Sequence, residues 1–152
     1  PLDFDAIERE IRDLGRWYAI QELAYDRMLL GQTLRRLSMP IGVGDGTAYP
    51  AFAAPLTPFS QGAARLESDK GLYDLITQRR LAHDGTLPML RQHLANADAQ
   101  TTDTGMRIVK RSPTLKIDGA VMLSMGMARA SVVLVAHGWD AQSVQALRGR
   151  SV

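Results

Sequence analysis

The chain has 152 residues, room for one domain of ordinary size and little more. Its 45% apolar and 22% charged content is that of a globular protein that buries a core, so wholesale disorder and low complexity are excluded. Eighteen Lys and Arg against sixteen Asp and Glu leave a net +2, too small a balance to argue nucleic-acid binding by itself, and the absence of cysteine excludes disulfides, thiol nucleophiles and thiolate zinc sites.

The N-terminal stretch is acidic and lacks the basic start and continuous apolar run of a secretion signal, so no export is expected. Phe4, Ile7, Ile11 and Leu14 recur at helical spacing, with Asp5 and Glu8 at the separation of a capping box and Gly15 as the stop. Trp17 to Tyr25, rich in aromatic and aliphatic residues, reads as a buried strand ending at Asp26. From Arg27 the period becomes helical, with Leu30, Leu34 and Leu37 on one face, until Pro40 and the following glycines.

Residues 39 to 50 form a loop; their glycines lack the Lys-Ser/Thr of a phosphate cradle and follow a helix instead of a strand. Ala51 to Phe59 supplies a second strand, confined to an edge by Pro55 and Pro58. A helix around Lys70 to Arg80, with Leu72, Leu75 and Ile76 inward, and a short helix over Leu87 to Ala97 opening at Pro88 follow. Thr101 to Gly105 is turn-like, Met106 to Lys110 a strand, and Ile117 to Ala136 the longest helix. Between Gly119 and Ala136 the single charge is Arg129, but Ser124, Gly126 and Ser131, with Lys116 and Asp118 just ahead, favour a buried helix over a membrane span. Residues 138 to 152 have weak periodicity and form a tail. The element order gives an α/β class, with few strands for five helices and therefore a small sheet, as expected of part of a larger domain.

Four features carry chemistry: Ala24-Tyr25-Asp26-Arg27 at a strand end, Gln61-Gly62, His83-Asp84-Gly85 followed by Pro88 and Asn96, and Lys116-Ile117-Asp118-Gly119 opening an Ala/Met-rich helix. Together, in this order over about residues 5 to 131, they resemble the C-terminal nuclease domain of the large terminase subunit of tailed bacteriophages. Thr86 and Leu87 depart from that family's pattern, standing where Asn-Pro is expected.

The resemblance implies an RNase H-like fold over residues 1–137, whose acidic cluster binds two Mg²⁺ or Mn²⁺ ions and cuts concatemeric double-stranded DNA during packaging. It implies action in the bacterial cytoplasm, with the terminase small subunit and the portal protein as partners, and no membrane. The family's ATPase motor has no counterpart here, since no Walker-type sequence occurs. Asp26 and Asp118 match the family's metal-ligating, catalytic positions; His83 and Asp84 stand as site-proximal candidates.

The residues read on their own are compatible with this. Hard cations prefer carboxylate oxygens converging from different segments. Asp26 would project from a strand end, where open α/β sheets place ligands, and Asp118 from a helix start continued by Val121, Met122 and Met125. Each aspartate also suits helix capping, His83 a loop hydrogen bond, Asp84-Gly85 a turn, and Met122, Met125 and Met127 core packing. Arg27, Arg35, Arg36, Lys110, Arg111 and Lys116 are phosphate-contact candidates or plain solvated surface.

The family's first strand carries another essential aspartate, and nothing before Asp26 resembles it; Asp3 and Asp5 lie at a helix start. The chain is thus expected to be the later part of the domain and, alone, to have little or no nuclease activity. The alternative from another class is a non-catalytic DNA-binding or packaging-assembly module, in which the aspartates cap helices.

Overall fold

A computed structural model describes residues 3–42, 46, 48–82 and 85–136. The chain is mixed α/β and forms two compact units, residues 1–59 and 60–152.

The first unit contains α1 (Phe4–Trp17), β1 (Leu23–Tyr25), α2 (Arg27–Leu37), β2 (Ile41–Gly42), β3 (Ala48–Tyr49) and β4 (Leu56–Pro58). Its helix start differs from the expected capping box: Asp3 is the N-cap, and its carboxylate accepts from the Ala6 N–H at 2.9 Å. Asp5 and Glu8 instead pair with Arg36 of α2. Helix α1 runs past Gly15, whose missing Cβ leaves room for the Phe52 ring.

The side of α1 that is fully buried carries Glu8 and Arg12, which an apolar period does not reveal. Arg12 donates through Nε to Glu8 at 3.0 Å, through Nη1 to the Pro50 carbonyl at 2.7 Å, and through Nη2 to the carbonyls of Arg36 and Met39 at 2.7 and 2.9 Å. The guanidinium thus joins α1 to the end of α2 and to the segment before β4. A buried charge is tolerated only with such complete pairing. Leu34 and Leu37 of α2 are buried, as their spacing predicts.

The expected nine-residue strand from Trp17 shrinks to Leu23–Tyr25, because Trp17 ends α1 and is 83% exposed, followed by exposed Tyr18. Likewise, of Ala51 to Phe59 only Leu56–Pro58 is strand, and it pairs in parallel with β1 in the register Leu23↔Leu56, Ala24↔Thr57, Tyr25↔Pro58. The short β2–β3 antiparallel pair lies inside the stretch expected to be loop.

The second unit contains α3 (Ala63–Thr77), α4 (Pro88–Ala95), β5 (Ala97–Thr102), β6 (Gly105–Lys110) and α5 (Asp118–Ala136). Helix α3 begins seven residues earlier than the Lys70 expected from the sequence; Leu72 is buried as expected, but Ile76 points to solvent at 45% exposure. Strand β5 was not evident in the polar run Ala97–Thr102, and it is drawn into a hairpin by the turn at Asp103 and Thr104. Helix α5 has the predicted extent and packs on α3 and α4 through Ala120, Ser124 and Met125. Met122, expected in the core, is 70% exposed. No helix among the described residues is long and apolar enough to cross a membrane.

Candidate functional site

In the first unit Asp26 directly follows β1 and precedes α2, half-buried at the C-terminal end of the parallel pair. That is where an open parallel sheet presents ligand-binding groups, and also where a helix takes its N-cap. Tyr25, Arg27, Arg35 and Leu56 line a shallow open groove of about 480 Å³ there. Arg27 and Arg35 are exposed. Arg36, one of the phosphate-contact candidates, is committed internally: its Nη1 donates to Asp5 and its Nε lies 2.8 Å from the buried Glu8 carboxylate. The hydrogen bond to Asp5, then the charge of Glu8, hold its guanidinium charged to higher pH than usual.

In the second unit Asp118 is the exposed first residue of α5. Buried Ile117 and Ala120 anchor the turn on either side of it. The next N–H, of Gly119, donates to His93 Nδ1 of α4 at 2.8 Å, so the imidazole accepts there and caps one of the helix's unpaired amides. A Cβ on residue 119 would stand 2.9 Å from that Nδ1 and 3.3 Å from Leu90 Cδ1, so glycine is required by contact.

Asn96, at the end of α4, restrains the approach to Asp118. Its Nδ2 donates to the Lys116 carbonyl at 2.9 Å, and its own carbonyl accepts from the Arg111 N–H at 3.0 Å. Arg111 Nε in turn donates to the Ala97 carbonyl at 2.9 Å. The Lys116-Ile117-Asp118-Gly119 stretch is therefore held by α4 at both Lys116 and Gly119. Lys110, Arg111 and Lys116 are all exposed.

The orientation of α5 is set by a buried carboxylate that the sequence reading missed. Asp69 of α3 is fully buried; Oδ1 accepts from Arg65 Nε at 2.7 Å and from Ser124 Oγ at 2.6 Å, while Oδ2 accepts from the Ile108 N–H of β6 at 2.9 Å. Ser68 Oγ lies 2.8 Å from Ser124 Oγ. Gln61, half of the quoted Gln-Gly pair, accepts from Arg65 Nη1 at 3.0 Å through its side chain and from Arg107 Nη2 at 3.2 Å through its carbonyl. One carboxylate thus ties together α3, α5 and β6. Sealed from water with both oxygens occupied, it is suited to structure and not to exchangeable ligand binding. The signal for it was the Arg65 and Asp69 pair four residues apart, with Ser68 beside it, inside an otherwise amphipathic helix.

Asp26 therefore lies in the first unit and Asp118 in the second. His83 and Asp84 lie outside the described residues. Among the described residues no three His, Asp or Glu side chains converge on a possible metal position. One Mg²⁺ can be held through one or two carboxylates with water and substrate oxygens, whereas a metal pair needs more protein ligands than these two aspartates provide. An apolar cleft of about 440 Å³ in the second unit, lined by Leu72, Tyr73, Ile76, Leu94 and Ile108, does not include Asp118. Comparison with protein-family models, with curated proteins and with solved structures found no match to this chain.

Proposed function

We propose that the chain is the later portion of a terminase-type, metal-dependent endonuclease that hydrolyses phosphodiester bonds of double-stranded DNA during phage genome packaging, with Asp26 and Asp118 contributing carboxylates to an Mg²⁺ or Mn²⁺ site. What supports the reading is the ordered set of motifs over residues 5 to 131, above all the Lys116-Ile117-Asp118-Gly119 stretch opening α5. The hydrogen bonds from Asn96 to Lys116 and from Gly119 to His93 add a physical reason for the motif's form: they hold an exposed carboxylate at a fixed place on a helix end. Held this way, Asp118 loses little conformational freedom on taking up a cation. Asp26, at the end of a parallel strand, has the position such sheets use for ligands.

The basic residues are distributed in keeping with a polyanionic substrate. Residues 60–152 hold twelve Lys and Arg against eight Asp and Glu, while residues 1–59 hold six against eight. Exposed Lys110, Arg111 and Lys116 precede Asp118 within a few residues, where they would contact phosphate without reading sequence. The small subunit, the portal and the bacterial cytoplasm belong to the same proposal and rest on the resemblance alone.

The chain by itself is expected to cut poorly, because two carboxylates hold a metal pair weakly. Nicking of supercoiled plasmid with Mn²⁺, by the parent chain and by Asp118→Asn, tests both parts. Weak nicking that disappears in the variant supports the proposal. Nicking unchanged by Asp118→Asn contradicts the role of Asp118, and vigorous Asp118-dependent nicking contradicts the incompleteness.

A further inference from the structure

The geometry points to the free edge of β1 as a docking site for a β-strand of another polypeptide, apolar along its length and flanked by basic residues. This rests on the β1–β4 ladder and stands apart from the nuclease reading.

Two three-residue strands pairing in parallel are an unusual end point. Parallel sheets are found buried on both faces within larger arrays, and an isolated two-stranded ladder is marginal in water. Here Leu23, Ala24 and Tyr25 are all only half-buried. The ladder also says on which side a further strand belongs. Leu23 donates to the Pro55 carbonyl at 2.9 Å, and the Tyr25 carbonyl accepts from the Phe59 N–H at 2.8 Å, so both residues spend their main-chain groups on β4. In a parallel register the intervening Ala24 then directs its N–H and C=O to the opposite edge, where they have no partner among the described residues.

The outer edge of β4 is different. Its outward-facing residues are Leu56 and Pro58, and Pro58 has no N–H to offer. Proline is a standard means of closing a sheet edge against further pairing. The sheet is closed at β4 and open at β1.

A second copy is a poor occupant. In the antiparallel register where two copies exchange both Ala24 hydrogen bonds, Glu22 of each faces Asp26 of the other, and like charges directly opposite are unfavourable. The same acidic flanks favour a strand with Lys or Arg at its ends. Half-buried β1 faces favour apolar side chains between them.

The probe is an acetylated, amidated heptapeptide of alternating valine and threonine flanked by lysine, with a glutamate-flanked counterpart, and the readout is residue-resolved amide hydrogen exchange on the full chain. In the dilute chain alone the Ala24 amide should exchange roughly tenfold or more faster than those of Leu23 and Tyr25, which are bonded to β4. Millimolar lysine-flanked peptide should slow Ala24 exchange, and the glutamate-flanked peptide should bind up to about fivefold more weakly. Ala24→Pro removes the outward N–H without touching the β4 ladder and should abolish the effect while Leu23 and Tyr25 stay protected. If that variant does not fold, the two peptides on the parent chain still decide. An Ala24 amide already as slow as Tyr25 in dilute chain, no response to either peptide, or equal binding of the two would overturn the proposal. Slowing that grows with protein concentration without peptide would assign the edge to a second copy and overturn it as well.

Discussion

Replacing Asp69 by Ala removes acceptors from three partners at once: the Arg65 guanidinium, the Ser124 hydroxyl and the Ile108 main-chain N–H. Arg65, itself 5% exposed, would keep its bond to Gln61 but lose its counter-charge in a site closed to water. Breaking one partner out of a buried ion pair costs about 3–5 kcal/mol, a large share of the roughly 5–15 kcal/mol by which domains are stable. With a urea slope of about 2 kcal/mol/M, the midpoint of the second unit should fall by roughly 2 M. Because the chain has two compact units, the informative readout is exchange at Ile108, whose amide should lose its protection in the variant. Asp69→Asn keeps the shape and some acceptors and should cost less. The pair Arg65→Met with Asp69→Leu, which removes both charges, should recover at least half the loss of Asp69→Ala. If Asp69→Ala stays within about 0.5 kcal/mol of the parent, comparable to an ordinary surface change, the carboxylate does not join α3, α5 and β6 as described.

Gly119→Ala forces a Cβ to 2.9 Å from His93 Nδ1 and should lower stability by about 1–3 kcal/mol, whereas Gly126→Ala, with open space around it in the same helix, should raise it by up to about 1 kcal/mol; paired thermal melts check the difference in sign. Asn96→Ala removes the bond to the Lys116 carbonyl and should cost about 1 kcal/mol, with faster amide exchange over residues 112 to 118 than elsewhere in the unit. Arg36 is held charged by Asp5 and Glu8, so its folded-state pKa lies above its unfolded one: its contribution is fully present below the ordinary arginine range and fades only as pH rises past it. The stability difference between parent and Arg36→Gln should therefore be independent of this group's titration from pH 6 to 10 in urea titrations, and should shrink with added salt, since Asp5 and Arg36 are half exposed.

Helices α2 and α5 were legible because the leucine spacing and the long Ala/Met-rich run carry a helical period uninterrupted by proline. The parallel pair was legible in kind but not in length. Aromatic content at Trp17 and Tyr18 suggested burial, yet these side chains sit at a helix end facing solvent. Strand β5 escaped because Ala97–Thr102 has no alternating apolar face; hairpin closure and Arg111 and Asp98 side-chain bonds to the main chain of Ala97 and Ala99 support it instead. The buried polar groups escaped for a shared reason. Glu8, Arg12, Arg65 and Asp69 look like surface charges on a helix until the carbonyls and amides that surround them are in place.

The placement of Asp118 on a helix start and of Asp26 after a strand was visible from motif order, while the roles of His93 and Asn96 as supports for the Asp118 turn required the structure. Asn96 at least stood within a recognised motif; His93 carried no signal of its own.

The most direct test of the proposed function is Mn²⁺ titration of the full chain, followed by paramagnetic broadening of backbone amide resonances. The account predicts saturable loss of signal around both Asp26 and Asp118 at the same metal concentration, and weaker binding in both Asp26→Asn and Asp118→Asn. Broadening confined to one aspartate, or binding indifferent to either substitution, would contradict it.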